Sequence, residues 1–84
     1  SPLLAREIRR QLENELGDGY GRLLALLKAL RPRVRQALAT PGLRKRYFQA
    51  LLRGTARSLA LAGRLPAARR EALRLLRARQ VTGR

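Results

Sequence analysis

Apolar residues recur along the chain at intervals of three and four, which is the spacing of one face of an α-helix. In the first segment, one such face is lined by Leu4, Ile8, Leu12 and Leu16. Ser1 and Pro2 stand before this face as an N-cap and a first helical residue, and Gly17 follows it as a stop. The pattern predicts a first helix over residues 2–16.

A longer apolar stripe follows in the second segment and consists of Tyr20, Leu23, Leu24, Leu27, Leu30, Val34 and Leu38. Pro32 interrupts this segment, because proline lacks the N–H of a helical residue and its ring clashes with the carbonyl group of Lys28. The stripe nevertheless keeps its phase across the proline. We therefore expect one helix with a kink near Arg31 rather than two helices.

Two proline-containing sites predict the starts of further helices. Thr40 followed by Pro41 has the form of an N-cap and a first helical residue, and predicts a third helix over residues 41–62. Leu65 and Pro66 open a fourth helix in the same way. Short, glycine-containing connections join these segments, so consecutive helices are expected to pack against one another.

The predicted fold class is all-α, a compact bundle of about four helices with a Pro-kinked second helix. A chain of 84 residues has room for one domain, so residues 1–84 are expected to form a single helical domain. The aromatic residues are only Tyr20, Tyr47 and Phe48. Because the core of a single copy would be thin and rich in leucine, a homodimer is the alternative assembly.

The composition excludes most familiar active sites. The chain has no Cys and no His, so it offers neither a thiolate nor an imidazole to a metal or to acid–base chemistry at neutral pH. No carboxylate is paired with a second reactive group at a useful spacing. We therefore expect no enzymatic activity, no metal site and no cofactor.

The charge is strongly positive and unevenly distributed. Twenty Lys and Arg residues, eighteen of them Arg, stand against five acids, for a net charge of +15. Residues 1–18 hold three bases and four acids, whereas residues 19–84 hold seventeen bases and one acid. The excess charge is thus spread over three predicted helices instead of forming a tail.

Single-sign helix faces of this kind favour a polyanionic partner, since the arginine side chain matches pairs of phosphate oxygens. On a helical wheel, Arg46, Arg53 and Arg57 fall within about 40° of each other. We predict binding of nucleic acid, double-stranded RNA or DNA, through phosphate contacts and duplex shape. The candidate nucleic-acid-binding residues are Arg31, Arg33, Arg35, Arg46, Arg53, Arg57, Arg70, Arg74 and Arg77.

Three alternatives remain open. A protein-binding helical module would dock an acidic protein or another helix. A designed helical bundle would explain why His, Met, Trp and Cys are all missing. An anionic membrane surface would also attract Arg-rich helices. No apolar run reaches the roughly 18 to 20 residues of a transmembrane span, and no signal sequence is evident. A soluble protein is expected, in the cytoplasm, nucleoid or nucleus if it is natural.

Overall fold

A computed structural model describes residues 1–82, and these residues form five α-helices without a β-strand. The helices are α1 (Pro2–Leu16), α2 (Asp18–Ala37), α3 (Pro41–Arg53), α4 (Thr55–Leu61) and α5 (Leu65–Thr82). The all-α class is confirmed, with one helix more than expected. That residues 1–84 form a single domain stays a prediction.

Local capping bonds fix the bounds of α1. The hydroxyl group of Ser1 accepts a hydrogen bond from the N–H of Leu4 at 3.4 Å, and Pro2 occupies the first turn. At the other end, the N–H of Gly17 donates to the carbonyl oxygen of Glu13 at 2.7 Å. Gly17 has a φ of 59°, a left-handed conformation that glycine adopts without steric cost. The predicted helix over residues 2–16 is confirmed.

The second helix passes through Pro32 without a break, as the unbroken phase of its stripe predicts. It ends at Ala37, and the following Leu38 is extended. Arg44 stabilises this connection, because its Nε donates to the carbonyl oxygen of Leu38 at 2.9 Å. Thr40 then caps α3 by accepting a hydrogen bond from the N–H of Leu43 at 3.2 Å.

The predicted third helix over residues 41–62 is two helices, α3 and α4, which are separated at Gly54. Gly54 is extended, with a φ of −110° and a ψ of −169°. Glycine is less favourable than alanine in a helix by about 1 kcal/mol, so the chain loses little helix stability by breaking the helix at this residue. The spacing of apolar residues alone did not reveal it.

A Schellman motif connects α4 to α5. The N–H of Gly63 donates to Ala60 and the N–H of Arg64 donates to Leu59, while Gly63 has a φ of 83°. Arg22, from α2, adds a third bond at this helix end, because its Nη2 donates to the carbonyl oxygen of Leu61 at 2.9 Å. The end of α4 is therefore held against α2.

The hydrophobic core lies between α2, α3, α4 and α5. Its buried members are Leu23, Leu26, Leu30, Val34, Leu38, Tyr47, Leu51, Ala56, Ala60, Ala68, Ala72 and Leu76. The hydroxyl group of Tyr47 donates to the carbonyl oxygen of Ala72 at 2.7 Å and so joins α3 to α5. Leu24, which the sequence pattern assigns to the core, is 39% exposed.

Small side chains let α4 and α5 approach each other closely. Ala56 and Ala60 on α4, and Ala68 and Ala72 on α5, are almost completely buried.

No helix in the described part of the chain is long and apolar enough to cross a membrane.

Two nearby glycines of α2 give a matched test of the packing between α2 and α4. A Cβ atom at Gly19 would lie 3.0 Å from the Leu61 side chain and 3.2 Å from its carbonyl oxygen, whereas one at Gly21 meets no described atom within 4 Å. Gly19→Ala should lower the free energy of unfolding by about 1 kcal/mol through overpacking. Gly21→Ala should raise it by about 0.5–1 kcal/mol, because alanine favours the helix.

Urea unfolding of both variants at one fixed protein concentration measures the difference. Equal effects of the two alanines would mean that α2 and α4 do not make this close contact.

Candidate functional site

The first helix lies at the periphery of the bundle. The structure describes Pro2–Leu16 in full, and none of these residues is buried. Leu12 and Leu16 are half-buried, and the main packing partner of α1 is α2. The C-terminal half of the α1 apolar face is therefore partly covered, while its N-terminal half is not.

The uncovered half of α1 exposes three large apolar side chains. Leu3 is 67% exposed, Leu4 60% and Ile8 48%. At about 25 cal/mol for each Å² of apolar surface, leaving such side chains in water forfeits a substantial part of their transfer free energy. A contiguous exposed apolar face of this kind is typical of a contact surface.

Acidic side chains share this face of α1. At 100° per residue, a sector of about 140° contains three apolar residues (Leu3, Leu4 and Ile8) and two acids (Glu7 and Glu15), together with the neutral Gln11 and Asn14. The five apolar and acidic residues are all exposed. Glu7 pairs with Arg10 at 3.6 Å, but both side chains are about half exposed, so the pair is weak. We call these five residues the α1 face.

The neighbouring surface of α2 carries the opposite charge. Leu24, Lys28, Arg31 and Arg35 are exposed and are spaced by four, three and four residues, which places them within about 60° of one another. We call these four residues the α2 stripe. The stripe borders a groove beside α1 that is lined by Arg9, Gly21, Leu24, Ala25, Leu27, Lys28 and Arg31.

One copy of the chain exposes more surface than a compact monomer of its size. Its accessible surface is 6225 Å², compared with about 5,000 Å² expected from the molecular mass. Its radius of gyration is 13.6 Å, compared with about 12 Å expected from the length. The excess of roughly 1,200 Å² is comparable with the ~800 Å² that each partner buries in an interface of standard size.

The structure brings together some of the arginines that the sequence singled out. Arg31 and Arg35 line one depression on α2. Arg33 and Arg77 line another, between α2 and α5. Arg74 forms a bidentate ion pair with Glu71, in which its Nη2 and Nε donate to the two carboxylate oxygens at 2.6 and 3.0 Å. These hydrogen bonds lower the pKa of the Glu71 carboxyl group.

Three other candidate arginines, which the helical wheel placed on one face of a single helix, lie on two helices. Because the helix breaks at Gly54, Arg46 and Arg53 lie on α3 whereas Arg57 lies on α4 and is half-buried. The Nε of Arg46 donates to the carbonyl oxygen of Gly42 at 3.4 Å. Arg70 is exposed on α5. Whether any of the nine candidate arginines contacts a partner stays a prediction.

The described residues hold no group of His, Cys, Asp or Glu side chains that could bind a metal ion. Burial raises the pKa of Tyr47 to about 12, and its hydroxyl group is already bonded to Ala72 inside the core. This tyrosine therefore holds two helices together and is not presented to a substrate.

The sequence pattern did not predict that the α1 face is an exposed contact surface. Leu4 and Ile8 fit a helical stripe, and such a stripe predicts burial without saying whether the same chain or another copy provides it. The unequal distribution of acids was the available signal. Four of the five acidic residues precede residue 19, and this places them on or next to the one helix without a buried residue.

Curated relatives share most of the chain. A protein named "Siroheme synthase" from Methylococcus capsulatus is 41% identical over 70 residues, which are 83% of this chain and 15% of that protein. "Siroheme synthase 1" from Halorhodospira halophila is 40% identical over 80 residues, which are 95% of this chain and 16% of that protein. The relative from Thioalkalivibrio sulfidiphilus is 39% identical, with 82% and 14% covered. The chain thus spans about one seventh of these relatives.

No solved structure matches the chain significantly. A protein family described as "Sirohaem synthase dimerisation region" matches residues 19–76, which cover α2 to α4 and most of α5. This finding overturns the predicted nucleic-acid-binding function and the predicted nucleic-acid partner. The prediction was wrong because a positively charged surface indicates that the partner is acidic without identifying the partner. The chain belongs to the family of sirohaem synthase dimerisation regions.

Proposed function

We propose that the chain holds two copies of itself together, as the dimerisation region of a sirohaem-synthase-type protein. The family description and the names of the relatives support this function. The chain itself would carry no chemical step. Any synthase activity would belong to residues outside this segment, because the segment spans only 15% of the Methylococcus capsulatus relative.

The observation that carries the proposal is the uncovered apolar surface of a single copy. Leu3, Leu4 and Ile8 are exposed on α1, and Leu24 is exposed on α2. A second copy would remove these side chains from water, and hydrophobic burial is the main favourable term in most protein association. The acidic protein named as an alternative partner is replaced here by a second copy.

The expectations about cellular location follow this change. The nucleoid and nuclear alternatives depended on a nucleic-acid partner and are dropped. Residence in the cytoplasm stays a prediction. The unit that we propose to dimerise is the 84-residue chain as a single helical domain.

Truncation of Leu4 tests the proposed function. Sedimentation equilibrium of the wild-type chain should give twice the mass of one copy, with dissociation on dilution. Leu4→Ala should raise the dimer dissociation constant about tenfold, since removing an apolar anchor from an interface costs about 1.4 kcal/mol or more.

Val81→Ala is the matched control, because Val81 is an exposed apolar residue on a different helix, α5, and belongs to neither exposed apolar surface that carries the proposal. It should leave the dissociation constant unchanged. A wild-type chain that sediments as a single copy up to its highest soluble concentration would contradict the proposed function.

A further inference from the structure

We propose that the two copies exchange complementary surfaces, with the α1 face of each copy packing against the α2 stripe of the other. This inference rests on the proposed dimerisation and adds to it which surfaces meet. It also assigns a use to the segregation of charge along the chain. The contact would occur twice in the dimer, once in each direction, as a two-fold axis requires.

Charge restricts where two copies can meet. Each copy has a net charge of +15, so most ways of bringing two surfaces together place bases against bases. The α1 face can avoid this, since its two charged members, Glu7 and Glu15, are both acids, although Arg10 flanks the face and pairs with Glu7. The α2 stripe offers Lys28, Arg31 and Arg35 in return. Opposite charges across an interface favour the correct pairing over alternatives.

The two surfaces also match in length and in apolar content. From Leu3 to Glu15 the α1 face is about 18 Å long at 1.5 Å per residue, and from Leu24 to Arg35 the α2 stripe is about 16 Å long. Leu24 is exposed and Leu27 beside it is half-buried. These two side chains would meet the three exposed apolar residues of the partner's α1 face.

A dimer in which the two α1 helices pack against each other fits less well. A two-fold axis parallel to the α1 helices would place Glu7 and Glu15 opposite their own copies, and facing like charges are destabilising. An antiparallel pair of α1 helices would avoid this but would offer the two glutamates no basic partner from the α2 stripe. The groove beside Leu24 would then stay open.

Reversing the charges on one surface at a time tests the exchange. The acid-reversed variant carries Glu7→Arg and Glu15→Arg, and the base-reversed variant carries Lys28→Glu, Arg31→Glu and Arg35→Glu. Each variant alone should show a dissociation constant raised at least tenfold, because both contacts in its dimer then face like charges. An equimolar mixture should form a mixed dimer, since both of its contacts are again complementary.

The mixture separates this specific effect from overall charge. Both variants keep a strongly positive net charge, so general repulsion opposes the mixed dimer. The matched control carries Arg46→Glu, Arg53→Glu and Arg70→Glu, which change the net charge as much as the base-reversed variant does. These three positions are exposed outside both surfaces, so the control should dimerise at least as tightly as the wild type and show no preference for the acid-reversed variant.

Sedimentation velocity of each protein and of the mixtures, with one component fluorescently labelled, gives the readout, and circular dichroism checks helical content. If either charge-reversed variant loses helical content, the single variants Glu15→Arg and Arg35→Glu take the places of the acid-reversed and base-reversed variants. A mixture of these two single variants should associate more tightly than either variant alone. A wild-type dimer that persists in both reversed variants, or a mixture without recovery, would overturn this inference and leave the proposed function intact. A monomeric wild type would overturn both.

Discussion

Replacing Leu51 with alanine should lower the free energy of unfolding by about 3 kcal/mol. Leu51 lies on α3 and is completely buried among residues of the core. Its truncation removes apolar atoms from the core and leaves a cavity that the surrounding helices fill only in part, which costs roughly 2–5 kcal/mol for a buried leucine. Urea unfolding followed by circular dichroism measures the change.

The adjacent Leu52 provides the matched control, because it has the same side chain on the same helix but is 39% exposed. Leu52→Ala should cost clearly less than Leu51→Ala, since part of the Leu52 side chain is already in water and its removal leaves no enclosed cavity. Equal costs at the two positions would show that α3 is rotated about its axis relative to the arrangement described above.

Features that depend on neighbouring residues could be predicted from the sequence. The caps at Ser1 and Thr40 join a side-chain oxygen to a backbone N–H three residues later, so the sequence contains both partners of each bond. The stop at Gly17 depends on one backbone conformation. The continuity of α2 through Pro32 followed from a stripe that keeps its phase.

Features that depend on distant residues could not be predicted in the same way. The predicted apolar stripe of α2 includes Leu24 and leaves out Leu26, yet Leu26 is buried and Leu24 is exposed, because the positions of α4 and α5 decide which side of the helix faces inward. The break at Gly54 likewise leaves the apolar spacing of the flanking segments intact. The spacing of apolar residues predicts which face of a helix is apolar, but it does not predict which other helix covers that face.

The choice of partner was wrong for a related reason. Net charge and arginine content indicate that an acidic surface is attracted, and a phosphate backbone is one such surface. A second copy supplies another, because Glu7 and Glu15 lie on an exposed helix face of the same chain. The number of bases alone cannot separate these two partners, whereas the position of the few acids can.

The buried hydroxyl group of Tyr47 should make the fold sensitive to alkali. Burial raises the pKa of Tyr47 from 10.0 to about 12. Between these two pH values the Tyr47 hydroxyl group is ionised in the unfolded chain but still protonated in the folded chain. The free energy of unfolding is therefore unaffected by this group below pH 10 and falls as the pH rises from 10 towards 12. The slope is about 1.4 kcal/mol per pH unit, or about 3 kcal/mol over the whole interval.

Tyr47→Phe isolates this effect from the ionisation of Tyr20 and the two lysines, which both proteins share. At neutral pH the variant should be less stable by about 1 kcal/mol, because the hydrogen bond from the hydroxyl group to the carbonyl oxygen of Ala72 is lost. Near pH 12 the order should reverse, since the phenylalanine ring has no proton to lose. Urea unfolding of both proteins across this range measures the difference, and parallel pH profiles would mean that the hydroxyl group ionises as readily in the folded chain as in the unfolded one.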